Sequence, residues 1–200
     1  MEKTKYSAGL VSQSFWFIEF KKVIKLLQEG FNFEQIKRMC LEKNLFGTSK
    51  ESRAKRMYGY ISNRAKDFDD TLITLFCSSN ISTEKIMALI AILNTDKLFF
   101  EFMYEVYRDK VILGINQLED SDINIFFKNK QDQNEDIAAW SDVTLKRLRS
   151  CYINYLTDAG LLSINKKSRE ITPPILDIAL ERCLQARGEE HLVKALTGVN

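Results

Sequence analysis

Six residues, Val143, Thr144, Lys146, Arg147, Ser150 and Asn154, have the types and spacing that most clearly suggest chemistry in this chain. Placed at about 100° per residue from Leu145, one side of their segment collects Val143, Lys146, Arg147, Ser150, Asn154 and Thr157. The other side collects Leu145, Leu148, Tyr152, Tyr155, Leu156 and Ala159, with Cys151 at its margin. The polar side holds cations and no carboxylate. Lysine and arginine neutralise phosphates or reach guanine edges, serine and asparagine hydrogen-bond bases, and a valine methyl suits a thymine methyl. Thr144 falls on the flank, within reach of a phosphate. Arg149 falls on the opposite flank, where an acidic neighbour would pair with it. The chemistry these residues suit is nucleic-acid binding.

The flanking sequence predicts the elements that would position them. Ser141 is the expected N-cap, Asp142 suits the positive end of the helix, and Gly160 ends it. Leu161-Leu162 return to the core. Ser163-Ile164 and Glu170-Ile171-Thr172 read as short strands around the loop Asn165–Arg169, which supplies Lys166, Lys167 and Arg169. Pro173-Pro174 prevent the second strand from extending. From Asp136 onward the order is short helix, tight turn, long helix and basic hairpin, the order of a winged helix-turn-helix, which lays one helix in a DNA groove. The same pattern also serves protein interaction, so the fold alone does not decide the function.

A second nucleic-acid face lies on the helix expected from Lys50 to Lys66. Arg53, Arg56, Tyr60 and Arg64 form one stripe beside the apolar stripe Ala54, Met57, Tyr58, Ile61, Ala65 and Phe68. Three guanidiniums and a ring could track a phosphate backbone. The competing expectation pairs them with Asp67, Asp69, Asp70 or other carboxylates.

The remainder reads as helix. With 8 Gly, 2 Pro and few β-branched runs in 200 residues, little interrupts it. A long helix is expected from Leu10 to Glu29, apolar on several faces and therefore central. Others follow over Phe33–Lys43, from Ser49 or Ser52, over Phe68–Cys77, from Ser82 to Leu93, and from Thr95 or Asp96 to about residues 113–115. Ser121 opens a further helix. The run NKQDQN (129–134) reads as a linker or turn, and residues 175–187 as helix before a short helix or tail. The expected fold class is mainly α: a helical bundle over residues 1–118, then a winged-helix-like domain over 119–200 with one β-hairpin.

The composition, 45% hydrophobic and 28% charged, is that of an ordinary globular protein. The net charge of +2 hides an acidic stretch over 119–136 followed by a basic one over 141–169. Cys40, Cys77, Cys151 and Cys183 are far apart and the sole histidine is His191, so neither a metal site nor a disulfide framework is expected. The most apolar stretch, Leu10–Leu27, is broken by Glu19, Lys21, Lys22 and Lys25, so no membrane span is expected. There is no Gly-rich phosphate loop, nucleophile elbow or zinc-protease motif. The expectation is a cytoplasmic, non-enzymatic protein with no cofactor and no small-molecule substrate.

Several short motifs carry a resemblance. Tyr6-Ser7-Ala8-Gly9-Leu10, Asn44-Leu45-Phe46 before the arginine-rich helix, Ala139-Trp140-Ser141 with Thr144, and the turn Ala159-Gly160-Leu161-Leu162 resemble the BrxA family of BREX phage-defence proteins. Their order and spacing extend the resemblance from about Tyr6 to Leu184. It implies a non-enzymatic component of a multi-gene defence system, with a first part similar to the antitermination factor NusB joined to a winged-helix-like part. It further implies binding of double-stranded DNA, with RNA as the alternative, and other BREX proteins as partners. The unusually aromatic first half carries the rival expectation, a scaffold that binds another protein of the system through the helical bundle.

Overall fold

Helix-favouring sequence gives helix almost throughout. The computed structural model describes residues 5–165 and 168–198 and is mainly α-helical, with one two-stranded antiparallel sheet. The expected fold class holds. The chain divides into two compact units, one comprising Phe15–Thr95, the other the residues up to Ser14 together with those from Asp96 onward.

The Phe15–Thr95 unit contains α1 (Phe17–Gln28), α2 (Phe33–Glu42), α3 (Glu51–Ala65), α4 (Asp70–Ser78) and α5 (Ile81–Leu93). Polar caps set the starts of three of these helices. Asn32 and Gln35 form a reciprocal capping box on α2, Asp69 accepts from the Leu72 amide, and Asn80 accepts from the Thr83 amide. Phe20, Phe68 and Phe76 meet edge to face, with centroids 5.4–6.2 Å apart. The central helix is α5, where every residue from Ile86 to Leu93 is buried. This corrects the expectation for the first helix, which leaves Ile18 59% exposed. That helix also begins at Phe17 rather than Leu10. Trp16 takes a left-handed conformation (φ 50°), which interrupts the run, and Gly9–Ser12 form a separate 3₁₀ turn.

The other unit begins its main helices with a continuous rod: α6 (Lys97–Phe102), a π turn (Met103–Tyr107) and α7 (Arg108–Ile112). Then come α8 (Asp120–Gln133), α9 (Glu135–Ala138), α10 (Asp142–Ala159), β1 (Leu162–Asn165), β2 (Ser168–Ile171), α11 (Ile178–Ala186) and α12 (Glu190–Thr197). Leu162 pairs with Ile171 and Asn165 with Ser168, so Arg169 lies in a strand rather than in the loop. Residues 116–118 add an edge to β2, with Leu118 N–H donating to the Arg169 carbonyl and Ile171 N–H to that of Asn116.

Two expectations are corrected here. The run 129–134 is not a linker: α8 continues through Gln133, because Ile123, Phe126, Phe127 and Lys130 sit at helical spacing on its buried face. Only Asn134 turns, and it caps α9. Nor do the units divide at 118/119. Tyr152 of α10 is fully buried against Phe99 (4.6 Å), Phe102 (5.2 Å) and Phe127 (5.6 Å). Each ring pair contributes about 0.5–1.5 kcal/mol beyond area burial, so the rod from Lys97 belongs with α10. The early residues join the same unit, since the Leu10 carbonyl accepts from Cys151 Sγ and the Gln13 carbonyl from Tyr155 Oη (3.0 Å).

Candidate nucleic-acid interface

The helix α10 forms as its sequence dictates. Ser141 Oγ accepts from the Thr144 amide (3.3 Å) and lies 3.0 Å from the Thr144 hydroxyl, which ties that side chain to the cap. Gly160, at φ 82°, closes the other end with a left-handed turn that an L side chain rarely adopts. The six residues assigned to the inner face, Leu145, Leu148, Tyr152, Tyr155, Leu156 and Ala159, are all buried. Val143, Lys146, Arg147, Ser150 and Asn154 are exposed on the opposite face, Val143 by 61%. Ser150 returns its hydroxyl to the Lys146 carbonyl (3.1 Å), so its oxygen lone pairs face outward. Thr144 is half-buried on the flank.

The hairpin stands beside this face. Lys166 and Lys167 lie outside the described residues. Arg169 does not stand free as a wing cation: its guanidinium pairs with Asp120 at the start of α8 (2.6 Å) and is 25% exposed. Asp120, Asp142, Lys146, Arg149, Ser150 and Arg169 are among the residues lining an open cleft of about 460 Å³ between α8, α10 and β2. Arg149, placed at the margin by helical spacing, lies over the Phe127 ring (5.7 Å), and among the described residues it forms no ion pair.

The second face is only partly present. Arg53 and Arg56 are exposed on α3. Tyr60 is half-buried and stacks on Trp16, with ring centroids 6.1 Å apart. Arg64 is removed from the stripe. It is buried to 2% exposure, donates to the Phe15 carbonyl (2.9 Å) and sits over the Trp16 ring (5.6 Å). The Phe15-Trp16 corner covers the end of α3, which spacing within α3 does not reveal.

Comparison with known proteins bears on what carries these features. The family model described as BrxA matches residues 4–188. A relative from Bacillus cereus (strain H3081.97), described as "BREX protein BrxA", is 38% identical over 193 residues, covering 96% of each chain. The chain belongs to the BrxA family. A crystal structure of an uncharacterized protein from Magnetospirillum magneticum shares the fold, with a TM-score of 0.81 and 16% identity over 98% of this chain and 100% of that one.

In this BrxA-family chain, the acidic stretch 119–136 is spent largely on internal pairing. Asp120 holds Arg169, and Asp122 caps α8 through the Glu119 amide while pairing with Lys110 (2.7 Å). Lys130 lies between Glu101 (2.7 Å) and Glu105 (2.6 Å) at 7% exposure, and Tyr6 donates to the same Glu101 (2.9 Å). Burial pulls the Lys130 pKa down, but the two glutamates outweigh it and hold the ammonium above its ordinary value. Lys130 falls in the polar run 129–134 that reads as a linker or turn. The available signal was its place on the apolar stripe with Ile123 and Phe127. Among the described residues the four cysteines form no disulfide bond, and burial pushes the Cys40 thiol up to about 11, which keeps it protonated and unreactive. Among the described residues no helix is long and apolar enough to cross a membrane, and no three His, Cys, Asp or Glu residues gather for a metal.

Proposed function

We propose that this BrxA-family chain is a non-enzymatic, double-stranded-DNA-binding component of a BREX phage-defence system, working alongside other BREX proteins. The observation that carries the reading is the exposed stripe Val143, Lys146, Arg147, Ser150 and Asn154, which runs along α10 from directly behind its N-cap. A helix presented in this way, with a hairpin at its side, has the geometry of a winged helix-turn-helix reader. Lys146 and Arg147 supply charge to phosphates, and Asn154 and Ser150 supply groups that hydrogen-bond base edges. Affinity then rests mainly on phosphate contacts and falls steeply with salt, each neutralised phosphate adding about −0.9 to the slope of log K against log salt.

The test is a titration of labelled duplex, single strand and structured RNA side by side, from about 50 to 200 mM salt. The wild type is expected to prefer duplex. Lys146→Ala with Arg147→Ala is expected to weaken it at least about tenfold and to flatten the salt slope by about two contacts. Unchanged duplex affinity in a folded double variant would remove α10 from the interface. The RNA reading through α3 is left with Arg53 and Arg56, since Arg64 is buried. A scaffold reading draws on the exposed Ile112, Leu113 and Ile115 (44%, 70% and 45%). A nuclease-resistant complex with another BREX protein, lost in Leu113→Asp, would support it.

A further inference from the structure

Among the described residues, one cation of the cleft between α8, α10 and β2, Arg149, forms no ion pair. Arg149 is half-buried and its Nε is buried; among the described residues its only partner is the face of Phe127. A partly desolvated guanidinium without an acceptor is unfavourable, and its planar donors remain available to an arriving anion. Arg169 faces the same cleft and is held by Asp120. That carboxylate is 77% exposed against 25% for the arginine, so it is the water-facing and more readily exchanged partner. An ion pair with so exposed a carboxylate contributes little. A phosphate can replace it, because arginine binds phosphate through two parallel hydrogen bonds. Lys146 lines the cleft as a third cation, against the two carboxylates Asp120 and Asp142.

We infer that this cleft seats one phosphate of a nucleic-acid backbone, with Arg149 as the receiving guanidinium and Asp120 as an internal stand-in that occupies Arg169 until the phosphate displaces it. The inference rests on the proposed role of α10 in nucleic-acid binding. It assigns to Arg149 a part that helical spacing alone gives to a structural pair. It also makes Asp120 a brake on affinity.

The experiment measures binding of a fluorescein-labelled duplex across a salt series. Asp120→Asn is expected to tighten binding about fivefold with little change in the salt slope, because the same single phosphate is seated without a carboxylate to displace. Asp132→Asn makes the same charge change at the far end of α8 and is expected to leave affinity within about twofold, because screening confines such effects to about 8–10 Å. Arg149→Gln is expected to weaken binding about tenfold and flatten the slope by about 0.9. Arg149→Lys keeps the charge and is expected to retain most of the slope. A gain of affinity in Asp120→Asn cannot come from unfolding, so it decides the matter even where Arg149→Gln lowers stability. Equal affinities for Asp120→Asn and Asp132→Asn overturn the inference. Arg147→Ala with Asn154→Ala, neither of which lines the cleft, tests the α10 face separately. If that pair abolishes binding while the Asp120 variant is neutral, the cleft assignment falls alone. If the Asp120 and Arg149 variants shift binding and the pair does not, the face falls and the cleft stands. Absence of any salt-dependent duplex binding by the wild type overturns both.

Discussion

At the scale of single residues, the arginines of α3 show how equal spacing leads to unequal roles. Arg53, Arg56 and Arg64 share a stripe, yet the first two meet water and the third lies under Trp16 with a hydrogen bond to the Phe15 carbonyl. Arg64→Ala removes the donor from a buried carbonyl, empties a packed volume and takes away the cation beneath the indole. The expected loss is about 2–4 kcal/mol. Arg53→Ala and Arg56→Ala touch no such feature and are expected to stay within about 0.5 kcal/mol of the wild type. Urea unfolding of the three variants measures the contrast. Three equal losses would show that the Phe15-Trp16 corner does not carry Arg64. The periodicity of α3 fixes which side chains share a face. It says nothing of the chain that covers part of that face, and a left-handed tryptophan in the middle of an apolar run is not a corner that composition announces.

Among the elements, α10 was readable in the sequence and the last turn of α8 was not, for one physical reason. The residues of α10 alternate apolar and polar at helical spacing between a serine cap and a glycine stop, so pattern, caps and burial all agree. In α8 the polar run 129–133 resembles a loop because Lys130, whose type suggests water, is drawn inward by Glu101 and Glu105 from the rod packed against it. A partner distant in sequence outweighs the local signal, as it does for Arg169 and Asp120. The rod carries its own buried charge at its start. Asp96 caps α6 through the Phe99 amide (2.8 Å), and burial pushes its pKa up from 3.8 to about 6. The folded state therefore holds the proton more tightly than the unfolded chain. The stability gained from protonation is complete below about pH 4 and is lost as pH rises through 6. Asp96→Asn keeps the cap acceptor and removes the titration. Relative to the wild type, the variant is expected to gain about 2–3 kcal/mol in unfolding free energy between pH 4 and pH 8. A difference between the two that stays flat with pH would place the titrating group elsewhere.

For the whole molecule, the sequence indicated two parts but set the seam at 118/119, where a loop precedes the acidic helix. The chain divides at 14/15 and 95/96 instead. A seam belongs where few stabilising contacts are cut, and Tyr152 has ring partners on both sides of residue 118: Phe99 and Phe102 before it, Phe127 after it. The Phe15–Thr95 unit, by contrast, is one continuous piece of chain whose aromatic centre, Phe20 with Phe68 and Phe76, lies wholly within it. Its central α5 packs on α1, α3 and α4 of the same piece, and its one buried arginine finds an acceptor at Phe15. Expressed alone, residues 15–95 are therefore expected to unfold cooperatively with urea, whereas residues 119–200 should be expanded and lack a sharp transition, because Tyr152 loses two of its ring partners and Lys130 both of its carboxylates. A buried ammonium deprived of its partners costs about 3–5 kcal/mol, close to the whole margin by which a small domain is stable. Circular dichroism through a urea series separates the two fragments. A cooperative transition in 119–200 would restore the seam at 118/119 and show that α8, α10 and the hairpin form an independent reader.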